Sequence, residues 1–266
     1  MTVDVEVICI GNELLIGKIE NTNAYWLAKQ ITALGANLRR VTVIQDVIDE
    51  IAACIQEVAC RKPRFIITTG GLGPTFDDKT FQGIAKALNQ KLAVNADAYE
   101  TVKRKCTEFA KNHGMPGEVE MTPPRVKMAI FPETTQPVNN PIGTAPALRA
   151  QIGETVLYAL PGVPAEMKAI FTESIAPEIR VAGGDCVFCE CSVFSDGVVE
   201  SRLAPLIDRV MAEYRGVYVK SHPMGCNRVE LHLTMMSKNG EPNGWLEKAA
   251  EQLRALIAEN GGKTRT

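Results

Sequence analysis

The chain has 266 residues, 45% hydrophobic and 23% charged, with a formal net charge of -2. That is enough apolar material for one large core or two modest ones, and it offers no overall basic footprint for gripping nucleic acid. The opening Met1-Thr-Val-Asp-Val-Glu-Val has no basic leader region and no apolar run approaches the roughly 20 residues of a spanning helix, so a cytoplasmic chain with no membrane partner is expected.

Apolar segments of β character alternate with helical periodicity from the start, the pattern of a parallel sheet with crossover helices. Val3 to Ile10 reads as a buried strand. Thr22 can cap a helix with Ala24, Leu27, Ala28, Ile31 and Leu34 at core spacing, stopped by Gly35. Leu38 to Ile44 is a second strand with Asp46 just past its end, and Asp49 to Ala59 a second helix. Arg64 to Thr69 is a short strand that runs straight into Gly70-Gly71-Leu72-Gly73-Pro74. A helix carrying Ile84, Ala85 and Leu88 follows, then another from about Ala96 to Lys111. This is a βαβαβα layout, hence an α/β, doubly wound, mostly parallel sheet.

The stretch from Asn112 to Pro146 is rich in Pro, Gly and Asn, with a strand expected at Val126 to Phe131, and is long enough to hold functional loops. Ala147 to Gln151 and Thr155 to Leu160 pair around Gly153-Glu154, and Val163 to Phe171 is helical. The pattern changes near Gly183-Gly184, so the domains are drawn as 1–176 and 177–260. The second is a small βαββα unit: strand Val187 to Phe194, helix Val198 to Met211, strands Val217 to Lys220 and Arg228 to Met236, helix Gly244 to Ala258. Residues 261–266 read as a frayed tail.

Eight cysteines suit a reducing compartment better than a disulfide framework in a chain of this length. Cys186-Val-Phe-Cys189-Glu-Cys191 has a strand's surroundings. Alternation then points Cys186 away from Cys189 and Cys191, which favours buried strand cysteines over a zinc site completed by His222 or Cys226.

The strongest chemical signal is Thr69-Gly70-Gly71-Leu72-Gly73-Pro74-Thr75-Phe76-Asp77-Asp78-Lys79-Thr80. A strand that ends in a glycine-rich turn and opens a helix puts backbone N–H groups and a positive helix end at the carboxyl edge of a parallel sheet, where phosphates bind. Glycine is expected there because a β-carbon would block an anion's approach to the main chain. The spacing is neither that of a P-loop nor Gly-x-Gly-x-x-Gly. Two acids directly after an anion cradle would repel a phosphate unless a cation lies between, so Asp77 and Asp78 suggest a divalent metal such as Mg, with helix capping as the alternative for Asp77. Asp46, at the end of the neighbouring strand, could share that ion; its alternative is a cap of the following helix. Gly11-Asn12-Glu13 and Asn21-Thr22-Asn23 form another polar loop at the same edge. None of His113, His222 and His232 sits beside a candidate nucleophile, so covalent catalysis is not expected.

Asn139-Asn140-Pro141-Ile142-Gly143-Thr144-Ala145-Pro146 and Leu160-Pro161-Gly162-Val163-Pro164 add two further loops. Together with Asn21-Thr-Asn23 and Gly70-Gly-Leu-Gly-Pro-Thr-Phe-Asp-Asp78, they resemble the molybdopterin-binding-like domain shared by the CinA family and the MogA/MoeA enzymes, closest to the CinA branch, over residues 5 to 172. Through Ser195-Asp-Gly197, Glu200-Ser201 and its element order, the small domain resembles the KH-like module of that branch.

The resemblance implies a metal-dependent pyrophosphatase acting on a nucleoside diphosphate sugar such as ADP-ribose. Its alternative is a molybdopterin-binding or adenylyl-transferring protein of molybdenum cofactor biosynthesis. Carried over by position, Asp46 and Asp78 would be the catalytic acids. Asp46, Asp77 and Asp78 would hold metal. Phosphate or substrate would meet Gly11, Asn12, Glu13, Asn23, Thr69, the turn Gly70, Gly71, Leu72, Gly73, Pro74, Thr75, then Thr80, Asn140, Gly143, Thr144, Ala145, Pro161 and Gly162. Asn12 stands where many relatives carry an acid, leaving Glu13 as the acid of that loop. A homodimer is expected. A chain of this length leaves no room for the deamidase domain of longer relatives, so no action on nicotinamide mononucleotide is expected. The small domain lacks the Gly-x-x-Gly loop of a nucleic-acid-clamping KH fold; Gly114-Met-Pro-Gly117 lies in the other domain, and Lys220, His222, Arg228 and Lys238 read as an ordinary solvated edge, so a nucleic-acid partner has little support.

Overall fold

A computed structural model describes residues 3–114, 119–225, 227–237 and 244–265. The chain divides into two compact units, with the boundary at Ala182/Gly183 and residues Ala33–Gly35 grouped with the second. The expected boundary after Ala176 falls too early. Helix α7 (Pro164–Ile170) runs through a π-helical stretch, Phe171–Ile175, into α8 (Ala176–Gly183), and Ile175 and Ile179 are buried.

The first unit begins with β1 (Asp4–Ile10), a short turn of helix α1 (Asn12–Leu15), α2 (Thr22–Ala33), β2 (Asn37–Ile44), α3 (Ile48–Cys60), β3 (Phe65–Thr69) and α4 (Thr80–Ala87). Then come β4 (Leu92–Val94), α5 (Ala96–Asn112), α6 (Pro123–Lys127), β5 (Ile130–Pro132), β6 (Gln136–Val138), β7 (Ala147–Ile152) and β8 (Thr155–Leu160), before α7 and α8. The main sheet has the order β2-β1-β3-β8-β7-β6. Its first four strands are parallel, and β7 and β6 are antiparallel additions. Strand β1 is buried on both faces, which is why it reads as a continuous apolar run. Ile8 and Ile10 pack with Ile51, Ile55, Ile84 and Phe131 in one buried cluster. Leu27, Ile31 and Met167 are also fully buried, and Trp26 meets Phe171 edge-on at 5.4 Å. The β7–β8 hairpin turns at Gly153-Glu154, with Gly153 at a φ of 58°.

One expectation holds only at its end, Ile130 and Phe131. In place of the strand from Val126 to Phe131 the chain forms helix α6 followed by the three-residue β5, which pairs with β4. Pro123 and Pro124 sit in the first turn of α6, where a missing N–H costs nothing.

The second unit follows as β9 (Val187–Asp196), α9 (Glu200–Glu213), β10 (Val217–Gly225), β11 (Arg228–Ser237), α10 (Trp245–Glu259) and β12 (Lys263–Arg265). Its antiparallel sheet has the order β10-β11-β9-β12. The segment expected as a frayed tail therefore carries a strand, Lys263 pairing opposite Asp196 and Arg265 opposite Phe194. Val193, Leu231, Leu233, Leu203 and Leu253 form the core of this α+β unit, and Cys189 and Cys191 pack against it. Register places Ser192 opposite His232, and Phe194 and His222 opposite Glu230. Cys189 and Cys191 thus alternate onto the face opposite Ser192 and Phe194, as expected of buried strand cysteines. Cys226, Lys238 and the second glycine of Gly114-Met-Pro-Gly117 lie outside the described residues. No described helix is long and apolar enough to cross a membrane.

Candidate functional site

Because β1, β2, β3 and β8 run parallel, their carboxyl ends share one edge, and the chain leaves β1 for β2 on one side and reaches β3 on the other. Such a switch point opens a crevice beyond the strand ends. A cavity of about 880 Å³ lies there, within the range that holds cofactor-sized ligands. Gly11 and Glu13 after β1, Asp46 after β2, Gly70 to Thr75 with Asp77 and Asp78 after β3, and Pro161 and Gly162 after β8 all line it, joined by Asn23, Thr69, Thr144 and Ala145.

The glycine-rich turn is held from inside. Gly70 N donates to Leu160 O, Thr80 N donates to Gly71 O, and the fully buried Thr80 hydroxyl donates to Gly70 O at 2.7 Å. Gly70 and Gly71 take φ angles of 111° and 69°, and a β-carbon would stand 2.1 Å from Ile10 O at the first and 2.4 Å from Thr80 Oγ1 at the second. Both glycines are therefore required by the turn's own packing, before any ligand is considered. The N–H groups of Gly71, Leu72 and Gly73 donate to no acceptor among the described residues. Three successive unpaired donors in a turn at a sheet's carboxyl edge can donate to phosphate oxygens.

Asp78 closes this turn by accepting Thr75 N at 2.8 Å and Thr75 Oγ1 at 2.5 Å, and Asp77 also accepts from the Thr75 hydroxyl. Neither Asp77 nor Asp46 is a helix cap. The N-cap residues of α4 and α3 are Lys79 and Val47, and neither makes a side-chain capping bond. Asp46 instead accepts Asn12 N at 2.9 Å. Burial raises its carboxyl above the usual aspartate range, and the charges of Glu13, Asp77 and Asp78 push the same way against the Asn12 bond. The Asp77 carboxyl is held below that range by the Thr75 hydroxyl. Acids from three loops thus act on one another across the crevice. No three described His, Cys, Asp or Glu side chains already stand in position to hold a metal ion.

Asn12, Thr80, Asn140 and Gly143 do not line the cavity. The Asn12 side chain is not placed there, but its backbone anchors Asp46. Thr80 is an internal staple of the turn. Asn140 is buried, and its amide shapes the 140–145 loop by donating to Ala145 O at 2.9 Å and accepting Gly143 N at 2.8 Å; Glu166 also accepts from it. Asn23 ties two strand ends together, donating to Thr69 Oγ1 and to Gly162 O. The wall formed by Cys106, Thr122, Pro124, Arg125 and Met128 has no counterpart in the sequence reading. Its signal was Arg125 beside a Pro pair in a segment already marked for functional loops.

Residues 6–181 match the family described as probable molybdopterin binding domain. A protein of Pyrobaculum arsenaticum is 40% identical over 261 residues, 96% of this chain and 95% of its own length. One from Thermoplasma acidophilum is 38% identical over 254 residues, 95% and 94% of the two chains. Among solved structures, CinA of Thermoplasma acidophilum, described as of unknown function, is 37% identical with a TM-score of 0.58, covering 67% of this chain and 98% of that one. The chain belongs to the molybdopterin-binding domain family and is CinA-like within it.

Proposed function

We propose that the first unit binds a phosphorylated pterin or nucleotide with a phosphate on the Gly71–Gly73 donors and acts by displacement at phosphorus. The observation that carries this is the row of three unpaired N–H groups in a turn that lines the crevice. The family match over residues 6–181 supports the pterin ligand, and with it a molybdopterin-binding or adenylyl-transferring role in molybdenum cofactor biosynthesis, over ADP-ribose. Calorimetric titration with a pterin phosphate, ATP and ADP-ribose, each with and without Mg, tests it. Absence of binding by all three would refute it.

A divalent cation fits the chemistry of this donor set, since Glu13, Asp77 and Asp78 each raise the Asp46 carboxyl and a cation would relieve that repulsion. Glu13, Asp46, Asp77 and Asp78 are the residues that would hold it. Such an ion, when bound, draws charge off phosphate oxygens.

One observation favours hydrolysis of a nucleoside diphosphate sugar as a second reading. Asp46 and Asp78 both line the crevice beside the donor turn, so one carboxylate could hold a cation while the other takes a proton from an attacking water. Release of AMP from ADP-ribose with a panel of divalent metals, lost in Asp78→Ala, would establish this reading; no release with any metal would remove it.

For the small unit, the order β9-α9-β10-β11-α10-β12 supports the KH-like reading as a description of shape, with no nucleic-acid role. The proposed homodimer is tested by sedimentation equilibrium, where a monomer mass would overturn it.

A further inference from the structure

Among the described residues, the cavity is lined by six carboxylates, those of Glu13, Glu20, Asp46, Asp77, Asp78 and Glu166, and by one cation, Arg125. A phosphorylated ligand brings more negative charge into this setting. Its countercharge must come from backbone donors, from a bound cation or from Arg125.

Arg125 is held by one arm only. Its Nη1 donates to Glu120 O at 2.6 Å, while Nε and Nη2 donate to no described residue and no described carboxylate pairs with the guanidinium. An arginine with two free donors in a fork is suited to grip two oxygens of one phosphoryl group. The helix that carries it is fastened to the glycine-rich turn by a second cation. Lys127 donates to Thr75 O, lies near the charges of Asp77 and Asp78, and borders a small cavity of about 110 Å³ with Gly71, Leu72 and Gly73. Two residues of α6 therefore serve the two sides of the turn, Arg125 at the crevice and Lys127 at the smaller cavity.

We propose that Arg125 anchors a phosphoryl group of the ligand. This rests on the reading that the crevice takes a phosphorylated ligand. Inorganic pyrophosphate, ADP-ribose and adenosine are titrated calorimetrically onto the full chain as wild type, Arg125→Gln and Arg125→Lys, with the ligand-free melting temperature of each recorded. Loss of a hydrogen-bonded charge should weaken pyrophosphate and ADP-ribose by about 10- to 100-fold in Arg125→Gln. Adenosine should be unaffected and the ligand-free melting temperature unchanged. Arg125→Lys should recover part of the loss, because it keeps the charge without the fork, and it replaces Arg125→Gln in the comparison should that variant melt lower. Wild-type binding of pyrophosphate with equal affinity in both variants would overturn the role of Arg125 and leave the phosphate reading intact. Failure of the wild type to bind these two probes and also ATP and the pterin phosphate would overturn both; where ATP or the pterin phosphate binds instead, the three proteins are compared on that ligand with the same expected losses.

Discussion

Gly71→Ala tests the internal logic of the glycine-rich turn. Gly71 has a φ of 69°, which costs a residue with a β-carbon about 1–2 kcal/mol. The new carbon would also stand 2.4 Å from Thr80 Oγ1, so the hydroxyl must swing away from Gly70 O, its acceptor at 2.7 Å. Thr80 is fully buried, and an orphaned buried pair costs about 1–3 kcal/mol. A loss of about 3 kcal/mol corresponds to about 6–12 °C in melting temperature for a unit of this size. Thr80→Ala alone should lose the same hydrogen bond. In the double variant the nearest Thr80 atom is Cβ at 3.4 Å, an ordinary contact, so the hydrogen bond is lost once rather than twice. Urea denaturation of the four proteins should give a coupling of about 1–3 kcal/mol in favour of the double variant. Additivity to within about 0.5 kcal/mol would refute the claim that this glycine is required by the Thr80 hydroxyl.

Other expectations follow from single groups. Glu6, 4% exposed at its side chain, is gripped by Arg61 through Nε at 2.8 Å and Nη2 at 2.7 Å. Arg61→Met should cost about 3 kcal/mol by stranding a buried carboxylate, and Glu6→Leu with Arg61→Met should recover most of it; equal stability of the single and double variants by urea titration would contradict this. The Asp46 carboxyl binds its proton more tightly folded than unfolded, so its contribution to stability is lost as pH rises from the ordinary aspartate range through the raised folded value. Asp46→Asn should therefore melt higher than the wild type near pH 8 and no higher near pH 3, while lowering activity; a gain in melting temperature independent of pH would refute the electrostatic account. Burial, with the charge of Glu57 adding to it, pushes the Cys54 thiol up to about 11, so at pH 8 only about 0.1% is thiolate. Iodoacetamide at pH 8, mapped by mass spectrometry, should label exposed Cys60 well before Cys54; equal rates would show that the α3 face opens readily.

The sequence by itself determined the sheet-forming strands and the edge on which the chemistry gathers. β1, β2, β3 and β8 are marked by apolar runs and by Gly and Pro, which are local signals, and parallel strands joined by helices must put their following loops on one side. Glu13, Asp46, Asp78 and Gly162 therefore share one sheet edge by connectivity alone. Only the tertiary structure decided what each residue does there. Thr80 and Asn140 look like ligand contacts in a motif, yet each is spent on a backbone partner set by the folded turn. Strands β4, β5, β6 and β12 are three residues long and exist through their partners, so no periodicity announces them. Val126 and the apolar residues after it read as a strand, but the two prolines before them start a helix, and that helix carries Arg125 to a crevice built by strands far from it in sequence. Local patterns record the period of an element; which side chain meets which, and which is left unpaired, depends on contacts between residues tens of positions apart, and those exist only once the chain has closed on itself.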